Sequence, residues 1–205
     1  DELIQVMKEE KKICHYLDLP IQHASDRILK RMGRRTTRAQ LTATIEKLRK
    51  EIPDIVLRTT LITGFPGETE EDHQELMEFV DEMEFDRLGA FTYSPEEGTP
   101  AETMEDQIPE EIKEERRDEI MELQQEISLE KGNDRIGQEL LVMIEGKVSG
   151  ESAYIARTYG DAPKVDGYIF VQTGELLMTG DFAKVRVTGA LEYDLIGELA
   201  DEYTE

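Results

Sequence analysis

The order of strand-like and helix-like segments changes once along the chain, and this change constrains the fold most. In the first half, β-branched and apolar stretches at 16–21, 55–63 and 87–93 alternate with helical patterns. Such an alternation indicates parallel strands joined by helical crossovers. The sequence therefore predicts an α/β unit, with its strand ends gathered at one edge.

After Asp134 the pattern consists of short strands separated by glycine turns. Short strands in about 70 residues predict a small antiparallel β-barrel. Pro109 begins a long charged helix that Gly132 and Asn133 end, so we expect the boundary at 133–136. The expected units are 1–133 and 135–205, and the predicted barrel strands are 140–144, 154–157, 168–171 and 183–188.

The net charge of −23 is spread over both halves. Residues 1–134 carry 18 basic and 34 acidic side chains, and residues 135–205 carry 6 and 13. Since binding to phosphate backbones depends on Lys and Arg, this balance excludes general affinity for nucleic acid but leaves room for a local basic patch. A basic protein partner fits the charge better, although acidity that serves only solubility is the alternative.

The single cysteine, Cys14, excludes an internal disulfide and any all-cysteine metal cluster within this chain. One reduced cysteine fits the cytoplasm. No run of 18 apolar residues suggests a membrane span, and no signal peptide is recognisable at Asp1. We expect the chain to begin in the middle of a longer protein.

The turn at 64–69, between a predicted strand and a helix, is the strongest local motif. Gly64 and Gly67 allow close approach of backbone to a ligand, and the helix that follows offers N–H groups to an anion. The alternative is an ordinary turn in which Thr69 and Asp72 only cap the helix. Thr37 and Gln40 form a capping-box pattern before another helix.

Polar side chains follow or interrupt two other strands. Gln22, His23 and Ser25 could hydrogen-bond a ribose, an amine or a carboxylate, unless His23 packs locally and Ser25 is only a helix cap. Arg58 lies inside a strand, where it either pairs with a bound carboxylate or is simply exposed. His73 is expected in an exposed helical turn.

Three loops are candidates for substrate contact. The segment 91–99 could line a substrate mouth or merely cover one. In the predicted barrel, the loops 157–167 and 192–197 carry aromatic and acidic side chains that could grip a basic polypeptide, or could serve only as turns. The candidate residues are Tyr93, Arg157, Asp161, Asp166, Tyr193 and Asp194.

Five motifs in order resemble one family. They are Leu-Pro-Ile-Gln-His-Ala-Ser-Asp at 19–26, Met-Gly-Arg at 32–34, Arg-Thr-Thr at 58–60, Gly-Phe-Pro-Gly-Glu-Thr-Glu-Glu-Asp at 64–72 and Phe-Thr-Tyr-Ser-Pro-Glu-Glu-Gly-Thr at 91–99. Together they resemble the radical S-adenosylmethionine (radical SAM) methylthiotransferases over essentially the whole chain. The resemblance implies the second half of a radical SAM partial (β/α) barrel of TIM type, followed by an OB-like TRAM barrel.

The family uses S-adenosylmethionine and two 4Fe-4S clusters, one of which is held by a Cys-x-x-x-Cys-x-x-Cys loop. This chain has no such loop, so the resemblance implies a fragment that holds no metal, contains no catalytic residue and is inactive alone. What it retains is part of the cofactor pocket. The residues carried over are Gln22, Ser25, Arg58, Gly64, Gly67 and Glu68.

Two branches of the family act on different substrates. One modifies adenosine in tRNA, and the other methylthiolates the β-carbon of an aspartate in ribosomal protein S-twelve. Three stretches resemble the second branch, namely Gln-His-Ala-Ser at 22–25, the segment 85–98, and Asp-Ala-Pro-Lys-Val-Asp-Gly at 161–167 together with Glu-Tyr-Asp-Leu at 192–195. The acidic barrel half agrees with a basic protein target. A tRNA-modifying fragment and a non-enzymatic module that binds the ribosome remain the alternatives.

Overall fold

The computed structural model describes residues 1–200 and contains two compact units. The first, called here the α/β unit, comprises Asp1–Glu10 and Leu17–Ile127. The second, the barrel unit, comprises Lys11–Tyr16 and the chain from Ser128 onward. Among the described residues, no helix is both long and apolar enough to cross a membrane.

The α/β unit is built on a three-stranded sheet in the order β1-β2-β3. β2 and β3 are parallel, with Arg58 opposite Arg87 and Thr63 opposite Thr92. This confirms the parallel pairing predicted from the alternation of strands and helices. The strands are β1 (Tyr16–Asp18), β2 (Val56–Thr63) and β3 (Arg87–Thr92).

Two of the helices begin at the caps that the sequence predicts. Thr37 and Gln40 form a complete capping box, and so do Thr69 and Asp72. In each box the side chains satisfy N–H groups that have no partner within the helix. The helices are α1 (Glu2–Glu9), α2 (Asp26–Arg31), α3 (Arg38–Glu51), α4 (Glu70–Met83) and α5 (Glu110–Asn133), with a short 3-10 helix at Pro100–Thr103.

The central strand β2 separates an apolar layer from an open polar face. Leu57 and Leu61 are fully buried in the core with side chains of α3, α4 and α5. Because side chains alternate along a strand, Arg58 and Thr60 point to the opposite face, where both are partly exposed. The helices therefore cover the face of β2 that carries Leu57 and Leu61, and they leave Arg58 and Thr60 on the other.

The barrel unit is a closed five-stranded barrel in the order β4-β5-β6-β8-β7. Four of its five pairings are antiparallel, which confirms the predicted small antiparallel barrel, and the pairing of β6 with β8 is parallel. The strands are β4 (Glu139–Lys147), β5 (Ala153–Arg157), β6 (Ile169–Gln172), β7 (Phe182–Ala190) and β8 (Leu195–Leu199).

The sequence pattern did not reveal β8, and Gly197 is the reason. A glycine within five residues weakens the strand signal. The structure nevertheless requires it, because a Cβ at Gly197 would lie 2.4 Å from Val185 Cγ1 and 2.9 Å from the Arg186 carbonyl oxygen. Close approach of β8 to β7 therefore explains both the glycine and the missed strand.

Candidate functional site

The carboxyl ends of the three parallel strands lie at one edge of the sheet. The Gln22 N–H donates to Thr60 O over 2.9 Å, and the Tyr93 N–H donates to Thr63 O over 2.8 Å. The turn that begins at Gly64 leaves β2 at this same edge. The segments that the sequence singled out at 19–25, 64–69 and 91–99 are therefore neighbours in the fold.

Direct hydrogen bonds join the segment around Ser25 to the turn around Gly67. Ser25 Oγ donates to Asp72 Oδ1 over 2.6 Å, and Arg27 Nη2 donates to the Gly67 carbonyl over 2.7 Å. Arg27 also pairs with Asp72. The hydroxyl of Ser25 is thus engaged within the protein, which gives it a structural role in addition to its place before α2.

Glu68 is the centre of a buried polar network. Its carboxylate accepts hydrogen bonds from the N–H groups of Gly64 (2.9 Å) and Phe65 (3.3 Å) and pairs with Arg116 Nη1 over 2.9 Å. Burial raises the pKa of Glu68, but hydrogen bonding from His23 and the Gly64 N–H and the charge of Arg116 outweigh it, so the pKa lies below its ordinary value.

His23 closes this network from the other side. It is fully buried, and its Nδ1 accepts a hydrogen bond from the Ser25 N–H over 3.0 Å. Because Nδ1 is an acceptor, the ring proton lies on Nε2, which faces Glu68 Oε2 at 3.4 Å. The expectation that His23 packs locally agrees with this geometry.

Both glycines of the turn have a packing reason. Gly64 has φ +69°, and a Cβ there would lie 2.2 Å from Lys113 Cγ. Gly67 has φ +81°, and a Cβ there would lie 2.8 Å from the guanidinium carbon of Arg31. The side chains of Lys113 and Arg31 fill the space beside the two glycines, where the sequence analysis placed a ligand. A cofactor role for Gly64 and Gly67 therefore stays a prediction.

The helix α5 contributes buried charges that the sequence did not reveal. Lys113 donates from Nζ to the Tyr93 carbonyl over 2.9 Å, and Arg116 reaches Glu68. Both are more than nine-tenths buried in a segment dense in Glu and Arg, where no spacing distinguishes them. His73 was expected to be exposed, which is wrong, because it is buried and its Nε2 lies 2.6 Å from Glu119 Oε2.

On the open face of β2, polar groups remain at the surface. Arg58 pairs with Asp18 over 2.8 Å and lies 3.4 Å from Thr60 Oγ1. Gln22 has φ +70°, which is a strained conformation for a residue other than glycine, and its side-chain amide makes no hydrogen bond with the described residues. Strained residues with unpaired polar groups are typical of ligand sites.

Tyr93 lies beneath the 3-10 helix segment rather than at the surface. It is 8% exposed, and its ring packs edge-to-face against Phe65 with the centroids 5.2 Å apart. Its hydroxyl has no hydrogen-bond partner among the described residues. Burial and the charge of Glu102 raise its pKa. Since the hydroxyl is buried, a substrate contact for Tyr93 stays a prediction.

In the barrel unit, two adjoining loops hold most of the predicted substrate residues. Asp161 is buried and accepts from Thr158 Oγ1 over 2.6 Å, whereas Asp194 accepts from the Tyr168 N–H over 2.7 Å. Asp166 accepts from Tyr16 Oη over 2.7 Å. Each of these carboxylates thus has a structural partner.

The remaining two barrel residues differ in their exposure and partners. Arg157 pairs with Glu145 over 2.6 Å, so its charge is already balanced within the barrel. Tyr193 is 38% exposed, and burial together with Glu192 raises its pKa. Tyr193 therefore presents the most accessible ring among the predicted substrate residues.

An iron–sulfur cluster does not fit the residues present. The described residues contain no group of three or more His, Cys, Asp or Glu side chains that could hold a metal ion. Cys14, the only cysteine of the sequence, is exposed. Any cluster that works with this chain must have its ligands elsewhere.

Comparisons with known proteins agree with this architecture. The model of the Radical SAM superfamily matches residues 1–80, and the TRAM domain model matches residues 136–200. A solved structure, the radical SAM enzyme coproporphyrinogen III oxidase (HemN) from Escherichia coli, covers 90% of this chain with a TM-score of 0.51. At 14% identity, and with 43% of that chain covered, this likeness shows the fold alone.

Curated relatives are much closer in sequence. The protein named ribosomal protein uS12 methylthiotransferase RimO from Lachnoclostridium phytofermentans is 63% identical over 96% of this chain. Its namesake from Desulfitobacterium hafniense is 53% identical over 97%. The chain spans 45% and 44% of these two relatives, less than half of their length. Identity at this level over nearly the whole chain, with both domain models in the expected order, means that the chain belongs to the RimO family of radical SAM proteins.

Proposed function

We propose that this chain is part of an enzyme that adds a methylthio group to the β-carbon of an aspartate in ribosomal protein uS12. The observation that carries the proposal is the 63% identity to a relative that bears this name. The net charge of −23 is consistent with a basic protein substrate and does not favour the tRNA-modifying alternative. The non-enzymatic ribosome-binding module is likewise not favoured, because the relatives are named as enzymes.

S-adenosylmethionine is the cofactor that the Radical SAM match implies, and when bound it supplies the radical chemistry that removes hydrogen from the substrate carbon. We assign its polar contacts to the open face. Gln22 offers an unpaired amide there, and the Arg58 guanidinium could bind a carboxylate in exchange for Asp18. Ser25 and Glu68 hold the strand-end turns in place, and Gly64 and Gly67 let those turns pack closely.

The two 4Fe-4S clusters of the proposed enzyme have their ligands outside this chain, since Cys14 alone cannot hold a cluster. We assign no step to them here. The fragment therefore contributes part of the cofactor pocket and, through the barrel, surfaces for the substrate. The domain assignment that goes with this proposal is 1–133 for the radical SAM part and 135–205 for the TRAM part, in a cytoplasmic enzyme.

Substrate recognition is proposed for the barrel loops, with Tyr193 as the accessible contact and Arg157, Asp161, Asp166 and Asp194 as the residues that shape them. Tyr93 would join them at the sheet edge. The acidic balance of residues 135–205, with 6 basic and 13 acidic side chains, would attract a basic polypeptide.

The test is binding of the chain to purified uS12 and to a tRNA anticodon stem-loop, each at two salt concentrations. We expect salt-sensitive binding to uS12, weakened by Tyr193→Ala but not by Phe182→Ala, which removes a ring from β7 that is even more exposed than that of Tyr193. Tighter binding to the stem-loop than to uS12, with discrimination against a scrambled hairpin, would favour the tRNA branch instead. Absence of binding to uS12 would remove substrate recognition from this chain.

A further inference from the structure

One segment of this acidic chain is strongly basic. Residues 27–50 contain 9 of the 24 basic side chains and one of the 47 acidic ones, Glu46. The segment begins in α2, passes through the connection to α3 and follows α3 nearly to its end. The cations are therefore concentrated in this segment, and the rest of the chain is correspondingly more acidic.

Several of these cations are used within the protein. Arg27 pairs with Asp72, Arg38 with Glu82, and Lys47 with Asp1. Arg31 donates from Nε to the Pro66 carbonyl over 2.9 Å, and Arg49 donates to the Glu84 carbonyl over 2.9 Å. Their charges therefore have structural explanations.

The four other cations have no such partner. The side chains of Lys30, Arg34, Arg35 and Lys50 make no ion pair or hydrogen bond with the described residues, although the chain contains 47 acidic side chains. Lys30 and Arg35 are exposed, and Arg34 is partly exposed. A cation in the last turn of a helix is favoured by the helix dipole, which gives Lys30 in α2 and Lys50 in α3 a local stabilising role without a partner. Arg34 and Arg35 lie beyond the end of α2, where that effect has faded.

The backbone presents these cations on an open loop. Gly33 ends α2 with φ +74°, and the Arg34 N–H returns to the Leu29 carbonyl over 2.9 Å. A Cβ built at Gly33 would meet no atom within 4 Å, so the space beside the loop is open to a large ligand. Thr36 follows with an exposed hydroxyl that has no partner among the described residues.

We propose that Lys30, Arg34, Arg35 and Thr36, called here the basic loop, bind the phosphate backbone of RNA. Closely spaced cations with a neighbouring hydroxyl donor match successive phosphates, which carry a full negative charge each. An acidic protein partner would present scattered carboxylates to the loop and would be repelled by the rest of this acidic surface. The same repulsion limits the RNA affinity, which we expect to be on the order of 10 µM at low salt. This proposal does not depend on the transferase activity proposed above.

The experiment measures binding of the whole chain to a fluorescein-labelled RNA hairpin by anisotropy, at about 50 mM and about 200 mM salt. The test variant is Lys30→Gln/Arg34→Gln/Arg35→Gln. The matched control is Lys11→Gln/Lys12→Gln/Lys164→Gln, which removes three exposed cations from outside the basic segment. Circular dichroism verifies that both variants keep the fold.

We expect the test variant to bind about tenfold more weakly and the control to stay within about twofold of the unmodified chain. The magnitude of the slope of log K against log salt should fall by about 3 in the test variant, because each of the three lost phosphate contacts removes close to one unit. Equal weakening in both variants would overturn the proposal, as would undetectable binding of the hairpin at the lower salt. Displacement of the RNA by polyglutamate or by anionic vesicles at equal charge would also overturn it.

Discussion

Glu68 illustrates how a single buried carboxylate can hold a strand-end turn. It is 3% exposed and faces Arg116, His23 and two backbone N–H groups. Glu68→Gln should lower the free energy of unfolding by about 3 kcal/mol, because it removes the buried counter-ion of Arg116 and leaves only the longer contact to the exposed Glu70. Urea denaturation measures the loss. Glu70 is the matched control, since it pairs with the same Arg116 from the surface, and Glu70→Gln should cost less than about 0.5 kcal/mol. Equal losses of unfolding free energy in the two variants would show that the buried ion pair contributes no more to stability than the exposed one.

Alanine substitutions at Gly33 and Gly64 distinguish the cost of backbone strain from the cost of steric overlap. Both have φ between +69° and +74°, so alanine at either position should cost about 1 kcal/mol for its backbone conformation. Gly64→Ala should cost a further 1 to 3 kcal/mol, roughly, because its Cβ would overlap Lys113, whereas Gly33→Ala meets open space. Thermal denaturation of the two variants tests this difference. Equal melting temperatures would mean that Lys113 simply moves away.

Asp72 should make the stability of the α/β unit sensitive to acid. Burial raises the pKa of its carboxyl, but hydrogen bonds from Arg27, Ser25 and Thr69 outweigh it and hold the pKa well below its ordinary value. A carboxylate with a lowered folded-state pKa stabilises the fold above its unfolded pKa of about 3.9, and this contribution is lost as the pH falls further. Asp72→Asn should therefore be destabilising at neutral pH and progressively less so below about pH 4. Denaturant titrations of both proteins between neutral pH and about pH 3 measure this, and a difference independent of pH would contradict it.

At the scale of elements, the sequence was sufficient to predict those features of a helix or strand that depend only on residues close together in the chain. The caps at Thr37 and Thr69 and the alternation along β2 were predictable because they depend on neighbouring residues. The burial of Lys113, Arg116 and His73 was not predictable. It depends on partners 20 to 48 residues away in the chain, which no local pattern encodes.

In the candidate site, too, features that depend on neighbouring residues were predictable and features that depend on distant partners were not. The motifs at 19–25 and 64–69 were recognisable, and their meeting at one sheet edge followed from the parallel pairing. Which polar side chains are available to a ligand was not predictable, because this depends on partners that are distant in the sequence. Ser25 is engaged by Asp72, whereas the amide of Gln22 has no partner among the described residues.

At the scale of the whole molecule, the question is where an independently folding barrel begins. The strands from Glu139 to Leu199 form a closed barrel with its own core, in which Val142, Ile144 and Val185 are fully buried. The last turns of α5 also belong to this unit, and Gly132 lies so close to the barrel that a Cβ there would come 2.9 Å from Ala190 Cβ. The barrel should therefore fold alone, but it should be more stable with these turns attached.

We expect residues 128–205 and residues 135–205 each to unfold in one cooperative thermal transition, because a closed barrel leaves no unpaired strand edge. The longer fragment should melt at a temperature several degrees higher, since about 1 kcal/mol of packing between the helix end and the barrel corresponds to roughly 4 to 8 °C in a domain of this size. Differential scanning calorimetry measures both transitions. Equal melting temperatures would place the functional boundary after Asn133, as the sequence predicts, whereas a broad non-cooperative transition in both fragments would mean that the barrel depends on the α/β unit for its stability.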